Sequence, residues 1–281
     1  MIFSVSAKTG AAMIAALTLS ACVDNSAERY RQTTFALQIE GKLRAERAPV
    51  DAPFDNRDLA RNFAKIALAR EYRRDGEDLV QEATPAPLSR WNEPIRYRIE
   101  GASGDDLEDY GSLIDRLSDL TSLDFIESAF EPNVSIFFLD AEERVQFVRD
   151  LRENGDDKRM PLLVDWAQEL RYPCVGQVGF EDATSGVITG AVIVIKDELE
   201  GVLRESCIHE ELVQALGLMN DDDDVRPSIF NDDQEFALLT EHDEYLLRIL
   251  YDERLETGMS APEAAPIVPI ILKDIRPEAD S

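Results

Sequence analysis

The sequence predicts an α+β fold: a mixed, twisted sheet carrying one helix, a second helix beneath it over 209–218, a C-terminal helical subdomain, and an N-terminal helical extension in front. Three observations carry this. Residues 95–139 pass from the alternating segment "IRYRI", through helical spacing at Leu107, Tyr110, Leu113, Ile114 and Leu117, to the apolar strand "VSIFFL". Two further strand segments, "CVGQVGF" and "GVITGAVIVI", are separated by the turn-forming "EDATSG". From about residue 200 the helical period dominates.

Taken in order, the chain opens with Lys8 ahead of the apolar run "AAMIAALTLSAC", which is too short to span a bilayer as a mature helix and reads as a processing signal. Leu19, Ser20, Ala21 and Cys22 resemble a bacterial lipobox, which implies a signal peptide over 1–21 and acylation of Cys22. An ordinary secretory signal is the alternative, and both export the chain. Val23 after the cysteine resembles the Gram-negative sorting signal for the outer membrane. The expected location is therefore the cell envelope, lipid-anchored and facing the periplasm, with the membrane as partner through Cys22.

Residues 22–54, polar and weakly periodic up to "APVDAP", read as a tether. Residues 55–90 read as a helical extension, in which Asp55 caps a helix bearing Leu59, Phe63, Ile66 and Ala67, and "EATPAPLSRW" closes the unit. The main domain is then 91–281. It includes an acidic helical insertion at 141–170, a helix ended by Gly217, and capping boxes at Thr240 with Asp243 and Ser260 with Glu263. Beyond Cys22 the cysteines are Cys174 and Cys207. An oxidising periplasm favours a disulfide between them, with two buried free thiols as the alternative.

Hydrophobic residues make up 44% of 281 positions, enough for a real core despite the charge. With 57 acidic against 29 basic side chains, the net charge of −28 repels phosphate backbones, so nucleic acid is not an expected partner.

The stretch "HEELVQALGLMND", 209–221, opens like a zinc-peptidase helix, but Val213 stands where a second histidine would follow His209. One position on, "EELVQALGLMN" resembles the metzincin (matrixin-like) pattern HExxHxxGxxH, with Glu210, Gln214 and Asn220 in place of the three zinc histidines. Glu211 falls on the catalytic glutamate and Gly217 on the turn glycine. "SIF" at 228–230 is similar to the Met-turn, with Phe230 for the methionine, "GVITGAVIVI" to the strand before the active-site helix, and "LTEHDEYLLRILYD" to the helix after the turn. "EELVQALGL" and "PSIFNDD" also resemble the bacterial secreted domain-of-unknown-function family 2927, which implies no established activity.

The resemblance implies a metzincin-like sheet with 209–218 as the active-site-type helix. Residues 210 and 214 stack on one helical face with 211 about 100° round it, and a turn at Gly217 is expected to bring 220 back to the same point. One carboxylate and two amides do not suit zinc. No cofactor is expected, and any divalent cation would be calcium or magnesium. The expected role is an envelope lipoprotein whose metallopeptidase-like domain has lost its zinc ligands and serves binding or structure, with a peptide, protein or cell-wall ligand in its cleft. The alternative is a hydrolase with an altered metal site, Glu211 as general base and Asp221 or His209 assisting. His209 and His242 otherwise read as solvated side chains, and "NDDDD" at 220–224 as a solvated loop without EF-hand spacing.

Overall fold

The computed structural model describes residues 26–277 apart from 76–77, 169–171, 183 and 232; Cys22 and the 1–21 segment lie outside the described residues. In chain order the elements are α1 (Ser26–Ile39), α2 (Asn56–Ala67), β1 (Ala69–Asp75), β2 (Asp78–Pro85), β3 (Arg90–Trp91), β4 (Ile95–Glu100), α3 (Gly104–Thr121), β5 (Phe125–Glu127) and β6 (Val134–Leu139). Then follow α4 (Ala141–Asn154), α5 (Pro161–Gln168), β7 (Cys174–Phe180), β8 (Val187–Lys196), α6 (Gly201–Gln214), α7 (Glu241–Leu250), α8 (Ala261–Ala264) and α9 (Val268–Ile275).

Six strands form one sheet in the order β3-β8-β6-β4-β5, all parallel, with β7 added antiparallel beside β8. The fold is thus mixed α and β around a mostly parallel sheet. A parallel sheet needs cover on both faces, and alternation in "VSIFFL" divides the work. Val134, Ile136 and Phe138 point to the core shared with α3 and α6, where Tyr110 meets Phe138 edge-on at 6.2 Å. Phe137 and Leu139 point to a second cluster built on Leu151, Leu163 and Trp166 of α4 and α5. The acidic 141–170 segment therefore closes the far face of the sheet. The expected placement of one helix on the sheet and another beneath is corrected accordingly: α3 and α6 share a face and α4 with α5 hold the opposite one. Leu107, expected in the apolar stripe of α3, is exposed.

The tether expected over 22–54 is also corrected. From Ser26 the chain is helical, and Tyr30 of α1 lies 5.9 Å from the buried ammonium of Lys196. Leu43 and Arg44 then pair with the backbone at 234–237. Arg47 joins Arg116 in clamping the buried carboxylate of Glu244. A charge taken out of water needs such partners, so this segment is part of the domain's own electrostatics. Weak periodicity hid it, because pairing one stretch of backbone and one guanidinium leaves no hydrophobic pattern.

The 55–90 extension is likewise joined to the main core. Asp55 caps α2 through the N–H groups of Arg57 and Asp58, and Leu59, Phe63 and Ile66 are fully buried against α7 and α9. The extension is not purely helical, since β1 and β2 form an antiparallel hairpin. His242, expected at the surface, is 0% exposed: its Nε2 lies 2.9 Å from Asn62 Nδ2 and Phe54 meets its ring edge-on. Both capping boxes form. Asp243 additionally accepts from Ser228 Oγ and Ile229 N, which fixes the turn before α7.

Cys174 and Cys207 are disulfide-bonded, with Cα atoms 5.8 Å apart, tying β7 to α6. Closing a 33-residue separation removes loop entropy from the unfolded chain. The double substitution Cys174→Ala, Cys207→Ala is expected to lower stability by about 3–4 kcal/mol, read from urea unfolding under oxidising conditions. An unchanged midpoint would show that the bond constrains nothing in the unfolded state.

Candidate functional site

Residues four apart on a helix share a face, as do residues two apart on a strand, and this matching builds the site. Cys207 and Glu211 of α6 face Cys174 and Gly176 of β7: the first pair is bonded, and the second is so close that a Cβ at Gly176 would lie 2.8 Å from Glu211 Oε2. A larger residue there would push the Glu211 carboxyl group aside. Sequence reasoning passed over Gly176, although an isolated glycine inside a strand is a signal of close approach.

After α6 the chain turns at Gly217, whose φ of +119° and contact with the backbone just before β3 both demand glycine; a Cβ there would lie 2.0 Å from Ser89 O. The turn does not return Asn220 to the helix face. Asn220 is 2% exposed and spends its amide on Lys65 O at 3.1 Å and Asp221 O at 2.8 Å. The expected convergence of Glu210, Gln214 and Asn220 is thereby corrected. Asp221 takes the place instead, 3.5 Å from Gln214 Nε2.

Glu210, Glu211, Gln214 and Asp221 line a cleft of about 1010 Å³. One wall is β7, from Cys174 to Val178 and Phe180; the other is the β1–β2 hairpin, which contributes Arg70, Glu71, Tyr72, Gln81 and Thr84. Glu71 N reaches Met219 O at 3.5 Å, and Gln81 donates to Glu71 at 2.7 Å. Among the described residues no other strand pairs with β7, so its outer edge faces the cleft.

Glu211 is 5% exposed and its Oε2 has no hydrogen-bond partner. Burial pushes its pKa up to about 8, Asp221 and Glu71 push the same way, and the Gly176 backbone draws it down only in part. All but the last of these effects favour its protonated form. Burial and then Glu71 raise the Tyr72 hydroxyl as well. His209, expected to be solvated, is lowered to about 4 by burial and then by Arg116, and its Nδ1 accepts from Leu239 N at 3.0 Å. It braces the segment before α7 rather than facing a ligand.

The remaining sequence candidates are structural. Phe230 is buried, its N–H donating to Ser228 Oγ and its carbonyl accepting from Asp222 N. In the acidic run, Asp222 and Asp224 bind Lys65 at 2.7 and 3.0 Å. Among the described residues no three His, Cys, Asp or Glu side chains are grouped to hold a metal ion. The donor set does not fit zinc: one of its three members is turned away, and the two that face the cleft are a carboxylate and an amide.

The family described as "Protein of unknown function (DUF2927)" matches residues 56–270, well over half of the chain. The chain belongs to this family. The match begins at α2, so for this family member the α2 helix and the hairpin lie inside the family unit with the sheet. No curated protein and no solved structure matches the chain.

Because folded Glu211 keeps a proton that the unfolded chain releases, native stability falls as pH rises between 4.5 and about 8. Relative to the native chain, Glu211→Gln is expected to be similarly stable below pH 4.5 and to gain about 1.4 kcal/mol per pH unit through that window. Urea unfolding of both proteins from pH 4 to 9 measures the difference directly.

Proposed function

We propose that this family member is a non-catalytic binding protein of the bacterial envelope, whose cleft takes an extended peptide segment of a protein or wall component. The open edge of β7 carries this reading. Among the described residues β7 pairs only with β8 and lines the cleft, and adding a strand to such an edge gives main-chain affinity without requiring a particular sequence. Hydrophobic and aromatic groups along the walls, Val178, Phe180 and Tyr72 among them, supply pockets for side chains.

The metzincin resemblance supports a cleft in this place, and the chemistry of the cleft speaks against catalysis. A general base must be ionised at working pH, whereas burial raises the Glu211 carboxyl and favours its protonated form. A second reading, a hydrolase using Glu211, draws on one observation: a strongly shifted carboxyl group beside Asp221 in a large cleft is the kind of group that transfers protons. It would act as an acid near neutrality and as a base only above about pH 8.

Export and anchoring complete the proposal. No helix among the described residues is long and apolar enough to cross a membrane, and α1 begins four positions beyond Cys22. Acyl chains on Cys22 would hold the domain against the outer membrane on its periplasmic side. The net charge of −28 sets it against anionic lipid and nucleic acid alike.

Protein purified without chelator or added metal is expected to carry no stoichiometric zinc, and to enrich extended peptides from a pool of random end-blocked octapeptides. Gln214→Trp, which fills the cleft, is expected to abolish enrichment while keeping the thermal midpoint. Stoichiometric metal together with Glu211-dependent peptide hydrolysis would replace this reading with the hydrolase.

A further inference from the structure

Among the described residues, Arg70 in β1 is a cation in the cleft with no carboxylate paired to it. Its guanidinium carbon lies 4.0 Å from the ring centroid of Phe180 at the end of β7. Nη2 has only a 3.4 Å contact to Ser89 Oγ, and Nε is buried with no acceptor. Burial alone lowers its pKa, with no carboxylate opposing. Other arginines of comparable burial are matched: Arg204 to Asp106, Arg144 to Glu198, and Arg90 to the carbonyls of Leu250, Asp252 and Leu255. In a chain with 57 acidic side chains against 29 basic, an unmatched, half-buried guanidinium is a place kept for an anion. Its planar fork, backed by an aromatic ring, matches a carboxylate.

Further along β7, Glu211 packs beside Gly176, with Asp221 and Glu71 near enough to act on its carboxyl group. Gly176 and Phe180 stand four positions apart on β7, roughly 13 Å at about 3.3 Å per residue. A peptide strand laid along that edge covers the same distance in the same number of residues. We propose that Arg70 is the carboxylate-holding position of the cleft, selecting an extended peptide that carries a carboxylate. The proposal rests on the peptide-binding reading above and names its ligand.

The test uses two end-blocked probes, acetyl-Lys-Ala-Val-Ala-Asp-amide and acetyl-Asp-Ala-Val-Ala-Lys-amide, because a strand can add in either direction. Each is compared by calorimetry with its twin containing Asn for Asp. For at least one direction the native protein is expected to bind the Asp peptide about tenfold or more tightly than its twin. Arg70→Gln is expected to bind the twins equally, and Arg70→Lys, which keeps charge without the fork, to retain part of the preference. A purely structural Arg70 would shift both affinities together and leave their ratio unchanged. Equal binding of the twins by the native protein overturns the carboxylate assignment and leaves the peptide cleft standing; no binding of any probe overturns both.

Discussion

Strand β8 is the constraint on which the rest of the structure depends. Its last residues, Ile193 to Lys196, are buried from both sides, so no water is available to its backbone or to either face. Each backbone group must be paired within the sheet, and each face must be covered by helices. Partners β6 and β7 meet the first demand, and α3 with α6 against α4 with α5 meets the second. The chain leaves β8 directly into α6, so the position of the cleft-forming helix is inherited from the most rigid strand of the sheet.

Glu211 works against that stability. A carboxyl group with an unpaired oxygen, shut between a helix and a strand, makes the fold poorer in every pH range where the unfolded chain would ionise it. Selection for stability alone would replace it with glutamine or an apolar residue. Its place at the floor of a cleft, beside Asp221 and Glu71, is where groups with strongly shifted titration are found at functional sites.

Much of the fold was legible because apolar periodicity reports burial. "VSIFFL", "GVITGAVIVI" and the helix over 104–121 announced themselves that way, and capping boxes located α3's later companions α7 and α8. The hairpin β1–β2 was not legible, since its charged sequence pairs through backbone and faces a cleft instead of a core. The segment at 43–47 was hidden for the same reason. In the site, Glu210, Glu211 and Gln214 of α6 line one cleft. What failed was position 220, because a motif gives separations along the chain whereas the direction of a side chain after a turn depends on local backbone acceptors, here Lys65 O. Arg70 and Gly176 lie more than 100 residues apart in sequence, beyond the reach of any local pattern.

The disulfide gives the cleft one fixed jaw. β7 and α6 are joined covalently at Cys174 and Cys207, so the angle between that wall and the floor is set by chemistry and does not yield to a guest. The opposite jaw is a two-stranded hairpin, held at the far side by contacts such as the 3.5 Å reach of Glu71 N to Met219 O. A two-stranded ribbon bends far more readily than a strand built into a six-stranded sheet. Under the peptide-binding proposal, any widening of the cleft would fall on the hairpin, and Arg70 and Glu71, charges it carries into the cleft among the described residues, would move with it.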